Sequence, residues 1–262
     1  MLSPRLPLLL RPPLILRSIS TYIHAPVEPV CLSFYETAED EEPKGVWPVN
    51  RVHLIGRNYA AHAAEMGDDP KKSSPFFFQK PSSAIVDTTK TSFATFPRST
   101  SNYHYEAELI LGIGKSSTSE IPLAHARNYI SCIGVGCDLT RRDLQNEAKE
   151  KRRPWDDSKG IDDSGPISKM VGVGEDDAWW FNDDSILSLT VNGVKKQQTP
   201  VSKMIWNPEE IVHYISKRHN LNAGDVIFTG TPEGVGKLEK GEECKVRLEG
   251  GGKVLECCFE LS

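Results

Sequence analysis

Tyr103-His104-Tyr105-Glu106-Ala107-Glu108-Leu109-Ile110-Leu111 decides the reading of this chain. It reads as one β-strand, aromatic at its start and apolar from Leu109 onward. Side chains on a strand alternate faces, so Glu106 and Glu108 project from one side, roughly 7 Å apart. Two carboxylates so close repel unless a proton or a cation lies between them. Because the run ahead of them is apolar, the strand is expected to enter a core, where uncompensated charge is costly. A hard divalent cation with oxygen ligands, Mg²⁺ or Mn²⁺, resolves that conflict. The alternative is an edge strand with both glutamates in water.

Composition narrows the class. The 262 residues suffice for one large domain or two small ones. A hydrophobic share of 38% and a charged share of 26% are those of a soluble globular protein. Lys and Arg number 31 against 36 Asp and Glu, and the net charge of −5 argues against nucleic acid as the main partner. Six cysteines show no paired CxxC spacing, which fits a reducing compartment better than a disulfide scaffold.

Residues 1–24 differ in kind. Arg5, Arg11 and Arg17 stand among Leu and Ser, with no acidic residue before Glu28. That is the makeup of a mitochondrial targeting presequence. A secretory signal is the rival, but Arg11 and Pro12-Pro13 interrupt its apolar core. No run approaches the roughly 20 residues needed to cross a bilayer, so no membrane partner is expected. Residues 25–50, with the acidic run Glu39-Asp40-Glu41-Glu42, read as a leader holding one short strand near Val30 to Tyr35. The folded domain is expected over 51–262.

Within it, Val52 to Gly56 reads as a strand, followed by Arg57-Asn58-Tyr59 and a short Ala-rich helix to Met66. On that helix His62 and Glu65 are three apart and share a face. A carboxylate beside an imidazole fixes its tautomer and raises its basicity, as a general base requires; the alternative is a surface pair. Phe76-Phe77-Phe78-Gln79-Lys80 reads as a buried strand, with Lys80 either lining a site or solvated. Ile130 to Cys137 is another apolar strand, and Asp138 stands at its end. A helix from Thr140 to Lys151, capped by Thr140, brings Asp143 and Gln145 near Asp138. Residues 152–166 read as a polar loop in which Lys159 is either the cation of a lid or solvated. Asn192-Gly193 marks a hairpin. Pro208 to His219 is an amphipathic helix. The glycines of Thr229-Gly230-Thr231-Pro232-Glu233-Gly234-Val235-Gly236 allow close backbone approach to a ligand, although no nucleotide fingerprint is present.

Taken in order, Gly56-Arg57-Asn58-Tyr59 with His62 and Glu65, then Glu106-x-Glu108, then Asp138-x-Thr140-x-Arg142-Asp143-x-Gln145, then Pro154-Trp155 with Lys159, then Thr229-Gly230-Thr231-Pro232-x-Gly234-Val235-Gly236 resemble the fumarylacetoacetate hydrolase family. The closest resemblance is to its mitochondrial acylpyruvase and oxaloacetate decarboxylase branch. It implies an α+β, β-rich fold, a mixed β-roll with peripheral helices, usually as a homodimer. It also implies Glu106, Glu108 and Asp138 as Mg²⁺ ligands and His62 with Glu65 as a catalytic dyad. Lys159 and Gln145 match residues that contact substrate and stabilise charge, and Arg57 and Thr231 match substrate-binding positions. Asp163, Ser164 and the acidic Trp179-Trp180 insert depart from the pattern.

The activity so implied is the cleavage of acylpyruvates and the decarboxylation of oxaloacetate to pyruvate. In both, a small 2-oxo acid chelates the ion and the carbon beside its ketone leaves as a stabilised carbanion. Oxaloacetate keto–enol tautomerisation by the same site is the alternative enzyme reading. A fold-retaining, non-enzymatic binding protein is the rival from another class, and it would need neither the dyad nor the three carboxylates.

Overall fold

The computed structural model describes residues 28–65 and 75–262, with side chains of 63–65 left aside. The presequence expected over 1–24 lies outside the described residues. A ten-stranded sheet dominates. Along it the neighbours are Gly45–Pro48, Cys31–Tyr35, Met170–Gly172, Ile130–Cys137, Ala107–Ile113, Val226–Phe228, Val52–Gly56 and Phe76–Lys80. Gly165–Ile167 and Ile85–Asp87 join it off this path. Parallel and antiparallel pairs are mixed, as expected for the fold class. A five-stranded sheet runs Val194–Pro200, Ile186–Val191, Glu243–Gly250, Lys253–Leu261 and Phe93–Ala94. A small third sheet joins Thr140–Arg141, Tyr103–Tyr105 and Gly236–Lys237.

Burial explains the sequence patterns. Every residue of Ala107–Ile113 is buried, which is why its text is a continuous apolar run rather than an alternation. Leu109 and Leu111 face a core shared with Leu187, Leu189, Val246, Leu255 and Phe259 of the five-stranded sheet. Ile110 faces the other way, onto Leu54, Cys132, Met170 and Phe228. Ile186–Val191 and Lys253–Leu261 instead alternate between core and outer faces. The helices are short and peripheral. Pro208–Ser216 is fixed by a capping box, with Glu210 N donating to Asn207 Oδ1 (2.8 Å) and Asn207 N to Glu210 Oε2 (2.9 Å). Among the described residues no helix is long and apolar enough to cross a membrane.

Five expectations change, the first being burial of Phe76–Lys80, where Lys80 is buried and the rest of the strand is exposed or half-buried. The stretch 25–50 is more than a leader, since Cys31–Tyr35 pairs with Met170–Gly172 and Gly45–Pro48 extends the same sheet. The helix after Asp138 spans Arg142–Glu150, and Thr140 does not cap it: its hydroxyl donates to Asp138 O (3.1 Å) within a short strand. The 152–166 loop contains a helical turn, Asp156–Lys159. Finally, Tyr103 to Leu111 is not one strand. It breaks at Glu106, between the small sheet and the large one.

A side chain and a backbone amide hold that break. Ala107 N donates to Gln197 Oε1 (3.0 Å), and Asp138 N donates to Glu106 O (2.9 Å). The amide of Gln197 also donates to Thr231 Oγ1 (3.0 Å) and Pro232 O (2.9 Å), tying the glycine-rich turn to the same point. Asn58 clamps the turn from behind. Its Nδ2 donates to Thr229 O (2.8 Å) and Trp206 O (2.9 Å), and its Oδ1 accepts from Trp206 N (2.7 Å). Gly230, at φ 98°, packs so tightly that an added Cβ would lie 2.7 Å from Asn58 Cβ.

Gly230 therefore differs from Gly241, whose φ of 83° is also left-handed but whose Cβ would meet nothing within 4 Å. Gly241→Ala is expected to lose about 1 kcal/mol, the left-handed penalty alone. Gly230→Ala adds overpacking against backbone and is expected to lose about 3 kcal/mol. Urea unfolding of the two variants checks this, and equal losses would refute the tight-packing account.

Candidate active site

Three carboxylates converge where the strand breaks. Glu106 at the break, Glu108 on the large sheet and Asp138 just beyond Ile130–Cys137 each offer an oxygen, all within 4.8 Å of one another. None is more than 6% exposed. Register explains the convergence: Ala107 pairs with Cys137 and Glu108 with Gly136, so residues 106 and 138 leave adjacent strands side by side.

Cations surround the cluster unevenly. Lys159 Nζ lies 2.9 Å from Glu106 Oε2 and also donates to Asp138 Oδ2. Arg142 donates to the other oxygen of Glu106 and, through Nη1, to Gln145 Oε1 (2.5 Å). Lys80 Nζ sits 3.1 Å from Asp138 Oδ1 and donates to Leu139 O (3.2 Å), Ser164 Oγ (2.7 Å) and Lys159 O. Among the described residues Glu108 accepts the Gly230 N–H, at 2.6 Å, and no ion pair reaches it.

Titration follows that asymmetry. Burial pushes the Glu106 carboxyl up, but the charges of Lys159, Arg142 and His62 outweigh it and hold the group below the usual carboxylate range. Burial, reinforced by Asp138 and Glu106, drives the Glu108 carboxyl well above that range. Burial likewise favours neutral Lys159, but Asp138 and Glu106 keep its ammonium charged. A buried carboxylate facing two others without a cation of its own is the signature of an oxygen-donor metal site. The residues thus fit a hard divalent ion held by Glu106, Glu108 and Asp138.

A cleft opens onto these groups. Arg57, His62, Gln145, Lys159 and Thr231 line it together with the three carboxylates, so eight of the nine sequence candidates meet there. His62, on the helix Ala60–Glu65, is buried at 6% exposure. Glu65, the ninth, ends that helix, and its side chain lies outside the described residues. Arg57 holds φ at 61°, a left-handed conformation costing about 1–3 kcal/mol outside glycine. Its guanidinium lies 6.0 Å from the centroid of the Phe76 ring. Thr231 is buried and its hydroxyl accepts from Gln197.

Some candidates resolve differently. Lys159 and Lys80 are not solvated: both are under 4% exposed and both contact Asp138. Asp143 turns away from the cleft, accepting from Ser101 N (2.8 Å) and Thr100 Oγ1 (2.7 Å). Reading the sequence missed the parts played by Arg142 and Gln197. For Arg142 a signal existed, since it and Gln145 stand three apart on one helix face. Gln197 gave none.

Fold and site together define a class of protein: a β-rich roll whose buried centre is an oxygen-donor site for a divalent cation. The family profile described as fumarylacetoacetate (FAA) hydrolase C-terminal matches residues 51–257. An oxaloacetate tautomerase of Escherichia coli is 37% identical over 210 residues, covering 78% of this chain and 90% of the relative. A mitochondrial oxaloacetate decarboxylase of Dictyostelium discoideum is 38% identical over 205 residues, 78% of this chain and 91% of the relative. The crystal structure of fumarylpyruvate hydrolase from Pseudomonas aeruginosa in complex with Mn²⁺ and pyruvate superposes with a TM-score of 0.81 at 38% identity. That match covers 92% of this chain and 99% of the other. This chain belongs to the fumarylacetoacetate hydrolase family.

Metal binding and protonation of Glu108 compete for the same oxygens. Because its folded carboxyl lies above the unfolded value of 4.5, the metal-free protein loses stability as pH rises through that raised range. Metal affinity rises over the same interval. Mn²⁺ at 100 times Kd is expected to stabilise the wild type by about 2.7 kcal/mol. Glu108→Gln is expected to raise the metal-free Tm and to abolish most of the metal-induced rise. Thermal unfolding with and without Mn²⁺ checks both; a full metal response in the variant would remove Glu108 from the ligand set.

Proposed function

We propose that this chain is a mitochondrial enzyme, dependent on Mg²⁺ or Mn²⁺, that acts on small 2-oxo acids. Cleavage of acylpyruvates to pyruvate and decarboxylation of oxaloacetate are the leading activities. Oxaloacetate keto–enol tautomerisation at the same site is a second reading, favoured by the name of the E. coli relative. The observation that carries the proposal is the meeting of Glu106, Glu108 and Asp138 with His62, Lys159 and Gln145 in one cleft. Mitochondrial location rests on the Arg-rich, acid-free text of residues 1–24 and on the mitochondrial relative of D. discoideum. A homodimer is the assembly the family resemblance implies.

A divalent ion held by the three carboxylates supplies a Lewis acid for the 2-keto oxygen. The chain supplies the rest. His62, with Glu65 as the partner the family resemblance implies, takes a proton from water as it attacks the acyl carbonyl; the C–C bond on the pyruvate side then breaks, its electron pair staying on C3, which takes the proton back from His62. In tautomerisation His62 instead moves the C3 proton. Lys159, held charged by Glu106 and Asp138, offsets negative charge that develops on the substrate. Gln145, kept in place by Arg142, orients water or substrate. Arg57 and Thr231 bind the remainder of the acid.

Purified protein assayed on acetylpyruvate, oxaloacetate and enol-oxaloacetate with saturating Mg²⁺ or Mn²⁺ tests the proposal. Glu106→Ala is expected to abolish all turnover. His62→Ala is expected to lower acetylpyruvate cleavage by about 10²–10⁴-fold. Turnover of none of these acids would sink the proposal and favour a binding protein; tautomerisation alone would sink the hydrolase reading.

A further inference from the structure

A second cleft shares no lining residue with the active-site cleft. Its walls come from residues 95–98, from Arg141 and from residues 160–163. Four charged side chains line it, Arg98 and Arg141 of one sign, Asp162 and Asp163 of the other. Phe96 and Ile161 add partly buried apolar surface.

Opposite charges that share a cleft ordinarily pair with one another. These do not: among the described residues none of the four forms an ion pair. Asp163 is tethered by Thr95, whose hydroxyl donates to its Oδ2 (2.5 Å). Arg141 Nη1 donates to Asp157 O (3.3 Å), but its Nε is buried without a partner. Tyr103 pairs with Arg141 in the small sheet and packs edge-on against Phe96, ring centroids 5.7 Å apart. Its hydroxyl, too, is buried without a partner. Buried polar groups are as a rule hydrogen-bonded, so two orphaned donors this close to one cleft call for an acceptor. A simple anion would supply one but would also meet both aspartates, and a simple cation would meet both arginines. A ligand bearing both signs offsets all four charges.

We infer that this cleft binds an α-amino acid with an apolar side chain. Arg98 and Arg141 receive the carboxylate, which their forked donors suit. Asp162 and Asp163 receive the ammonium, and Phe96 and Ile161 cover the side chain. The inference does not depend on the 2-oxo acid reading. Through Arg141 the ligand stands one hydrogen bond from the helical turn Asp156–Lys159, which carries the lysine of the carboxylate cluster.

L-Leucine, 4-methylpentanoate and 3-methylbutylamine share one branched skeleton; the second lacks the ammonium and the third lacks the carboxylate. Calorimetric titration of each into the Mn²⁺-loaded full chain separates the two charges. Leucine is expected to bind about 10- to 100-fold more tightly than either analogue. Asp162→Asn is expected to bring leucine down toward 4-methylpentanoate, and Arg98→Met to bring it down toward 3-methylbutylamine. Each substitution is expected to leave unchanged the analogue that lacks the matching charge, a crossed pattern that general destabilisation does not produce. Both residues are exposed, so neither change is expected to disturb the fold. No binding of leucine, equal affinities for the three compounds, or leucine binding unaltered in both variants would overturn the assignment. Binding of 4-methylpentanoate as tight as that of leucine would make this a plain anion site and overturn it as well.

Discussion

Mutual repulsion among Glu106, Glu108 and Asp138 is the constraint on which the rest of this structure depends. Three carboxylates within 4.8 Å, each almost wholly out of water, cannot all be charged without compensation. The chain offsets two of them. Arg142 and Lys159 hold Glu106, and Lys159 and Lys80 hold Asp138. Among the described residues Glu108 receives one backbone N–H and no ion pair. This unequal treatment keeps the centre ready for a cation, because a fully compensated trio would gain little from binding one.

Holding such a centre requires a rigid surround. The peptide link between Glu106 and Ala107 belongs to neither sheet, and its polar groups find partners in Gln197 and Asp138 instead. Gln197 reaches across from the five-stranded sheet and also secures the turn carrying Thr231. Asn58 and Gly230 press that turn inward until its amide meets Glu108. Lys80 binds the carbonyl of Lys159 and so fixes the short helix from which that lysine points to the carboxylates. Four distant parts of the chain thus share one network, and displacement of any of them moves a group that faces the cleft.

The chemistry open to the site follows from its gradient of exposure. At the buried end charge is strong because little water screens it. Toward the outer end, Arg57, Lys149 and Trp155 are wetter and present cationic and aromatic surfaces. His62 stands within the same cleft, buried yet near enough for its charge to act on Glu106.

Much of this was legible in the residues. Apolar runs and turn signals are local, so Ile130–Cys137 and the Asn192-Gly193 hairpin could be placed without coordinates. The order of the motifs marked the carboxylates, His62, Lys159 and Gln145. What the sequence alone determined is therefore which groups carry charge and where the buried strands run, because side-chain type and hydrophobic periodicity are properties of the local chain. Only the tertiary structure decided that the opening strand breaks at Glu106, that residues 31–48 belong to the sheet, and that Lys80 and Lys159 are buried partners of one aspartate. Each of these depends on contacts between residues far apart in sequence, as with Gln197 and Ala107, and no local pattern encodes which distant side chain will complete a given hydrogen bond or ion pair.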